Sequence, residues 1–129
     1  MIRILFVCVQ NAGRSQMAQV FARAHGTGQV EAFSAGSQPA HAVHPEVMTV
    51  MQEKGFRLAD CRPKGFAQLP AGPFDLVVTM GCGDACPAYP GARRIDWAIP
   101  DPKGQPIERV RQIRDEIEHR VQYILRGRL

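Results

Sequence analysis

Apolar residues recur along the chain in two rhythms, and the change from one to the other predicts the fold. Ile2-Arg3-Ile4-Leu5-Phe6-Val7 is a nearly unbroken apolar run, and so is Phe74-Asp75-Leu76-Val77-Val78-Thr79-Met80. Such runs suit strands of a parallel sheet buried on both faces. Val30 to Gly36 reads as another strand, ending in the small residues Ser34-Ala35-Gly36 that let it closely approach the loop after the first strand, and Ala92 to Trp97 as a short fourth. Between the strands the spacing becomes helical. Met17, Ala18, Val20, Phe21 and Ala24 mark a helix from Arg14 to His25, stopped by Gly26. Val47, Met48, Val50 and Met51 mark a second, from Pro45 to Lys54, with proline in its first turn and Gly55 after it. A short helical piece runs to Leu69, and Ile107, Val110, Ile113, Ile117, Val121 and Ile124 trace a long amphipathic helix that closes the chain. Strands alternating with helices predict an α/β fold: residues 1–129 as one domain, a four-stranded parallel sheet with helices on both faces. Ligands of such sheets sit beyond the carboxyl ends of the strands.

Composition narrows the class. At 129 residues the chain is long enough to bury a real core. It has no run of about twenty apolar residues for a membrane span and no cleavable signal pattern, so a cytoplasmic protein is expected. The net charge of +4 could attract nucleic acid, membrane surfaces or small anions. Its arginines, however, alternate with Glu108, Asp115, Glu116 and Glu118 along the last helix, a mixed solvated face and not a basic stripe, so neither nucleic acid nor membrane is expected as a partner. Four cysteines stand at 8, 61, 82 and 86. The chain is too rich in core residues to need a disulfide framework, which leaves redox chemistry or burial for them. His41 and His44 lack a third ligand at a metal-binding spacing, so no metal and no cofactor is called for.

The densest chemistry lies between the first strand and the first helix, in Cys8-Val9-Gln10-Asn11-Ala12-Gly13-Arg14-Ser15. A helix N-terminus offers unpaired N–H groups and the positive end of the peptide dipoles, so the Val9–Gly13 loop wrapped against it suits a tetrahedral oxyanion. Arg14 adds a planar fork for two of the anion's oxygens. The same field favours the thiolate of a cysteine held there, and Ser15 can donate a hydrogen bond to it. A buried strand-end cysteine is the plainer reading of Cys8 taken alone. After the third strand comes Gly81-Cys82-Gly83-Asp84-Ala85-Cys86, on the same sheet edge as Cys8 by the strand-end rule. Cysteines four apart can come within disulfide range, while a zinc pair would need two more ligands, and burial of either thiol is open. Cys61 shows no partner pattern and reads as structural. Asp101, before Pro102, is by spacing alone an ordinary turn.

Cys-x5-Arg-Ser directly after a first strand resembles the signature of the low-molecular-weight tyrosine phosphatase superfamily. The continuation Arg14-Ser15-Gln16-Met17-Ala18, the Ser34-Ala35-Gly36 ending and the run Val78 to Asp84 are similar to its arsenate reductase branch, and the resemblance spans essentially the whole chain. It implies arsenate reduction: Cys8 attacks arsenic held by the loop amides and Arg14, and Asp101 protonates the departing oxygen. Cys82 and Cys86 then form, with Cys8, a disulfide relay re-reduced by thioredoxin, with phosphate and sulfate as competing oxyanions. Branch members commonly have a wider step between the last two cysteines than the one here, and many bind potassium through carboxylates. Gln19 and Lys64 stand at two of those positions, so the Lys64 ammonium is expected to replace the cation beside Asn11 and Ser34. Three alternatives stay open: a tyrosine phosphatase using Cys8, Arg14 and Asp101 with water, a reductase using an external thiol such as mycothiol or glutathione, and a non-catalytic oxyanion binder. Against the phosphatase, Lys103 stands where an aromatic would grip a phenyl ring.

Overall fold

The computed structural model describes residues 1–81 and 86–127. Four strands, β1 (Ile2–Cys8), β2 (Val30–Gly36), β3 (Leu76–Met80) and β4 (Arg93–Asp96), form one parallel sheet in the order β2-β1-β3-β4. Three α-helices accompany them, α1 (Arg14–His25), α2 (Pro45–Glu53) and α3 (Ile107–Leu125), with a 3-10 turn at Phe66–Gln68. The sequence reading of an α/β fold with a four-stranded parallel sheet therefore holds, with element ends moved by one or two residues. Phe74 and Asp75 precede β3 because they serve neighbours: the Asp75 carboxylate accepts the Arg3 amide at 2.8 Å, and Phe74 packs on Phe33 and Tyr89.

Alternation along β1 divides the core. Ile4, Phe6 and Cys8 face one apolar cluster, which also takes Leu76, Val78 and Met80 of β3, while Leu5 and Val7 face the other with Val77. Every residue from Ile4 to Cys8 is buried, which is why neither set could be polar. The first cluster is covered by all three α-helices, through Met17, Phe21, Val47, Met51, Ile113 and Ile117 among others. The second is covered by the 3-10 turn and its surroundings, through Phe66, Leu69, Phe74 and Tyr89. Among the described residues the three α-helices thus cover one face, and the other carries the 3-10 turn and its loops where the sequence predicts a helix layer, because the segments returning to that face are too short and proline-rich to form one.

Two details depart from the helical wheel as read from sequence. In α2 the buried residues are Val47, Val50 and Met51, at i, i+3 and i+4, which turns Met48 to the solvent side. In α3, Arg114 leaves the solvated face and is buried against α2, donating to the Val50 carbonyl at 2.8 Å and to Glu53 at 2.9 Å. A guanidinium between two helices is tolerated because those acceptors meet it there. Below it, Glu118 receives hydrogen bonds from Lys54 and His25, joining the ends of α1 and α2 to α3.

The strand order fixes where a ligand can bind. The chain leaves β1 toward β2 and leaves β3 toward β4, in opposite directions, so the carboxyl ends of β1 and β3 flank a topological switch point. In register, Cys8 lies opposite Gly36 on one side and Met80 on the other.

Candidate active site

At that point the loop from Val9 to Gly13 turns its carbonyls outward. Val9 O accepts from Gln38 N at 2.8 Å, Gln10 O from Ala40 N at 3.0 Å, Ala12 O from His44 N at 2.9 Å and Gly13 O from Met17 N at 3.0 Å. Among the described residues, no backbone acceptor takes the amides of Gln10, Asn11, Ala12 or Gly13. The loop therefore leaves four amides without a backbone acceptor at the N-terminus of α1, the supply of donors an oxyanion needs. Asn11 is the one described non-glycine residue with positive φ, at 52°, and asparagine tolerates that region better than other side chains. Two glycines make room for the loop. A Cβ on Gly36 would lie 2.5 Å from Val9 O and 2.9 Å from Asn11 N, and one on Gly81, whose φ is +83°, would lie 2.9 Å from Arg14 Nη1.

Cys8 Sγ is 2.8 Å from Ser15 Oγ, and Asn11 Nδ2 donates to the same oxygen at 2.7 Å. Since Ser15 Oγ already accepts from Asn11, its own proton is available to the sulfur. Arg14, the first residue of α1, is buried. Its Nη1 donates to Ile99 O at 2.9 Å and its Nη2 lies 3.9 Å from Asp101 Oδ2, while Nε is buried without a partner. Asp101 is exposed at the rim, its Oδ1 accepting from the Lys103 amide at 3.0 Å. The neighbouring Pro102 closes on the loop, its Cγ 3.0 Å from where a Cβ on Gly13 would stand.

A strap from Cys61 to Lys64 supports the loop from behind. Lys64 N donates to Asn11 Oδ1 at 3.0 Å, Lys64 O accepts from Gly36 N at 2.9 Å, and Lys64 Nζ donates to Ser34 Oγ at 3.4 Å. Burial, with Arg23 adding to it, pushes the Lys64 ammonium below the usual lysine value. Cys61 packs half-buried against the main core, and burial pushes its thiol up over the opposing pull of Arg23 and Lys64.

Of the residues the sequence singled out, Cys8, Val9 to Gly13, Arg14, Ser15, Ser34, Lys64 and Asp101 come together here. Cys82 lies outside the described residues. Cys86 is buried in the second cluster with Leu5, Val7, Ala35, Phe74 and Val77, on the sheet face opposite Cys8, its Sγ 3.5 Å from Pro87 O. Sequence reasoning missed the carbonyl of Ile99 as the anchor of Arg14, and it missed Gln16 as a buried contact of Asn11. No spacing rule identifies a backbone acceptor, but a glutamine on the core side of an amphipathic helix was a readable signal.

A buried thiol at the mouth of a strand-loop-helix oxyanion cradle, bracketed by an arginine and an aspartate, defines a cysteine-dependent enzyme that works on tetrahedral oxyanions or their esters. The chain belongs to the low molecular weight phosphotyrosine protein phosphatase family, whose profile matches residues 3–127. It is 45% identical, over 90% of its length and 85% of the relative's, to a Halobacterium salinarum protein provisionally assigned as an arsenate reductase. A glutaredoxin arsenate reductase of Synechocystis is 32% identical over 97% of both chains. Among solved structures, an arsenate reductase in its oxidised state superposes with a TM-score of 0.88 at 30% identity, each chain covered to 98%. A thioredoxin-dependent arsenate reductase of Corynebacterium glutamicum gives 0.80 at 36% identity; 98% of this chain is matched, but it spans only 61% of that one. An arginine phosphatase of Geobacillus stearothermophilus also gives 0.80, at 28% identity.

Proposed function

We propose that this chain is a cytoplasmic arsenate reductase in which Cys8, Cys82 and Cys86 pass a disulfide between them and thioredoxin re-reduces the last one. The observation that carries the first step is the Cys8 sulfur 2.8 Å from a serine hydroxyl that is itself held by Asn11, inside the loop that carries those four amides. The Cys8 thiolate attacks arsenic, an oxygen leaves as water with a proton from Asp101, and a sulfur–arsenic bond forms. The loop amides and Arg14 hold the remaining oxygens through the transition state.

Two electrons must then reach arsenic. The Cys82 thiolate attacks the Cys8 sulfur, the sulfur–arsenic bond breaks with its electron pair going to arsenic, and arsenite departs. A Cys8–Cys82 disulfide remains. Cys86 next attacks Cys82, which frees Cys8 and transfers the oxidised bond to Cys82–Cys86. The placement of Cys86 behind the sheet requires its segment to leave the second cluster for this step, a local opening of the kind that low-stability segments undergo. Phosphate and sulfate share the shape of arsenate and compete for the cradle. The Lys64 ammonium, bonded to Ser34 Oγ beside Asn11, serves as the site's fixed cation in place of a metal ion.

Arsenate-dependent NADPH oxidation, coupled through thioredoxin and its reductase, tests this in sodium and in potassium buffers. Cys8→Ser, Cys82→Ser and Cys86→Ser each abolish turnover, phosphatase activity disappears only in Cys8→Ser, and the two cations give equal rates. Normal turnover in Cys82→Ser and Cys86→Ser would discard the relay and leave an external-thiol reductase. A phosphatase is the second reading, favoured by the arginine phosphatase among the structural neighbours and by the first step being common to both reactions.

A further inference from the structure

Gln16 is fully buried on α1, one residue past the serine that touches the nucleophile. Its Nε2 lies within hydrogen-bond distance of three oxygens: Asn11 O at 3.1 Å, Asn11 Oδ1 at 3.0 Å and Arg62 O at 3.1 Å. Two of these are backbone carbonyls and can only accept. The third must also be an oxygen, because the Lys64 backbone N–H donates into it. The amide of Gln16 is therefore oriented by its surroundings, nitrogen toward Asn11. Its Oε1, buried on the other side, has no partner. An apolar side chain would spare the fold that unsatisfied oxygen, so core packing alone does not account for glutamine here.

We infer that Gln16 is a positioning residue for the reaction, setting the direction in which a proton is offered to Cys8; this rests on the reading of Cys8 as the nucleophile. With Oδ1 of Asn11 held by Lys64 N and Gln16 Nε2, Asn11 can only present Nδ2 to Ser15. Ser15 Oγ, accepting that hydrogen, turns its own proton to the Cys8 sulfur. Each link fixes the donor of the next: Gln16 to Asn11, Asn11 to Ser15, Ser15 to sulfur. Gln16 also holds the carbonyl of Asn11, steadying the left-handed backbone that aims this side chain. The bond to Arg62 O ties the same amide to the strap, so loop and strap keep a common register.

The test is the pH profile of Cys8 alkylation by iodoacetamide, read by peptide mass spectrometry in the parent and in Gln16→Met, which keeps the shape and loses both donors. The charged groups of the site, Arg14 on α1, Asp101 from the last loop and Lys64 from the strap, stay in place. The midpoint should rise by about one pH unit, which is about a tenfold loss of thiolate below the midpoint. Turnover, assayed below the midpoint, should fall about as much. A midpoint that coincides with the parent's would overturn the inference, whatever happens to stability. Should Gln16→Met not fold, Gln16→Glu is read in its place, since a carboxylate of the same length cannot donate to the three oxygens, and a coinciding midpoint again overturns it. The profile needs no arsenate, so a parent that failed to reduce arsenate would remove the proposed reaction without touching this result.

Discussion

Cys8, the last residue of β1, and Cys86, packed against the opposite face of the sheet, are both buried thiols, and their surroundings differ in kind. Around Cys8 the polar atoms are ordered: the Ser15 hydroxyl meets the sulfur, the Asn11 amide meets that hydroxyl, and the strap amide meets Asn11. Around Cys86 stand aliphatic and aromatic side chains, and its Sγ lies 3.5 Å from the Pro87 carbonyl oxygen. Preorganised dipoles lower the barrier to attack by a thiolate, whereas an apolar pocket disfavours one. In the relay proposed above, the first thiol acts where it lies and the second is stored on the other face of the sheet until its segment moves. A relay built this way keeps the resolving sulfur from being spent before the first disulfide exists.

The largest expected effect comes from closing that store. Cys86→Val fits the apolar cluster, so the fold should lose less than about 1 kcal/mol. Thioredoxin-driven reduction should stop at about one arsenate per chain, and phosphatase activity should stay within about twofold. Quantifying arsenite against protein reads the first figure, and denaturant melts read the second. Continued multiple turnover would erase the contrast between the two thiols.

A smaller effect tests the other side of the comparison. In Gly36→Ala the new methyl meets two backbone atoms of the nucleophile loop, Val9 O and Asn11 N, so the loop itself has to shift. Displacement of a reacting group by about an ångström is expected to lower activity about 100-fold. The matched control is Gly65→Ala just after the strap, where the nearest atom, Pro39 Cγ, would be at an ordinary 3.6 Å. Equal activity in the two variants would show that the loop is not rigidly held.

The two regions also differ in how far they could be read from sequence. Cys8, Arg14 and Ser15 were legible because strand, loop and helix are local and the chemistry falls within eight consecutive residues. Ser34-Ala35-Gly36 was legible as a close approach, since small residues at a strand end have few other uses. The burial of Cys86 was not, because it depends on which face of β1 and β3 the returning segment covers, a tertiary fact with no local signal. Arg114 escaped for the same reason: the Val50 carbonyl and Glu53 that satisfy it lie on another helix.

The smallest effect separates fold from site altogether. Glu118, inside α3, joins that helix to the C-terminal ends of α1 and α2. Desolvation would raise its carboxyl, but hydrogen bonds from Lys54 and His25 outweigh that and hold it below the usual glutamate value. A depressed carboxylate stabilises the fold at pH values above its unfolded value of about 4.3, and the contribution is lost as pH falls through the lower folded value. Glu118→Gln keeps an acceptor and removes the charge. It should reduce stability by about 1 kcal/mol at neutral pH, a modest figure because Lys54 remains partly solvated, and by progressively less toward acid. Urea midpoints of parent and variant at several pH values measure the gap. Cys8 alkylation should be the same in both, since no hydrogen bond of the nucleophile loop passes through this cluster; a changed alkylation profile would mean that the helix ends and the loop are coupled, and that the preparation of Cys8 is not local.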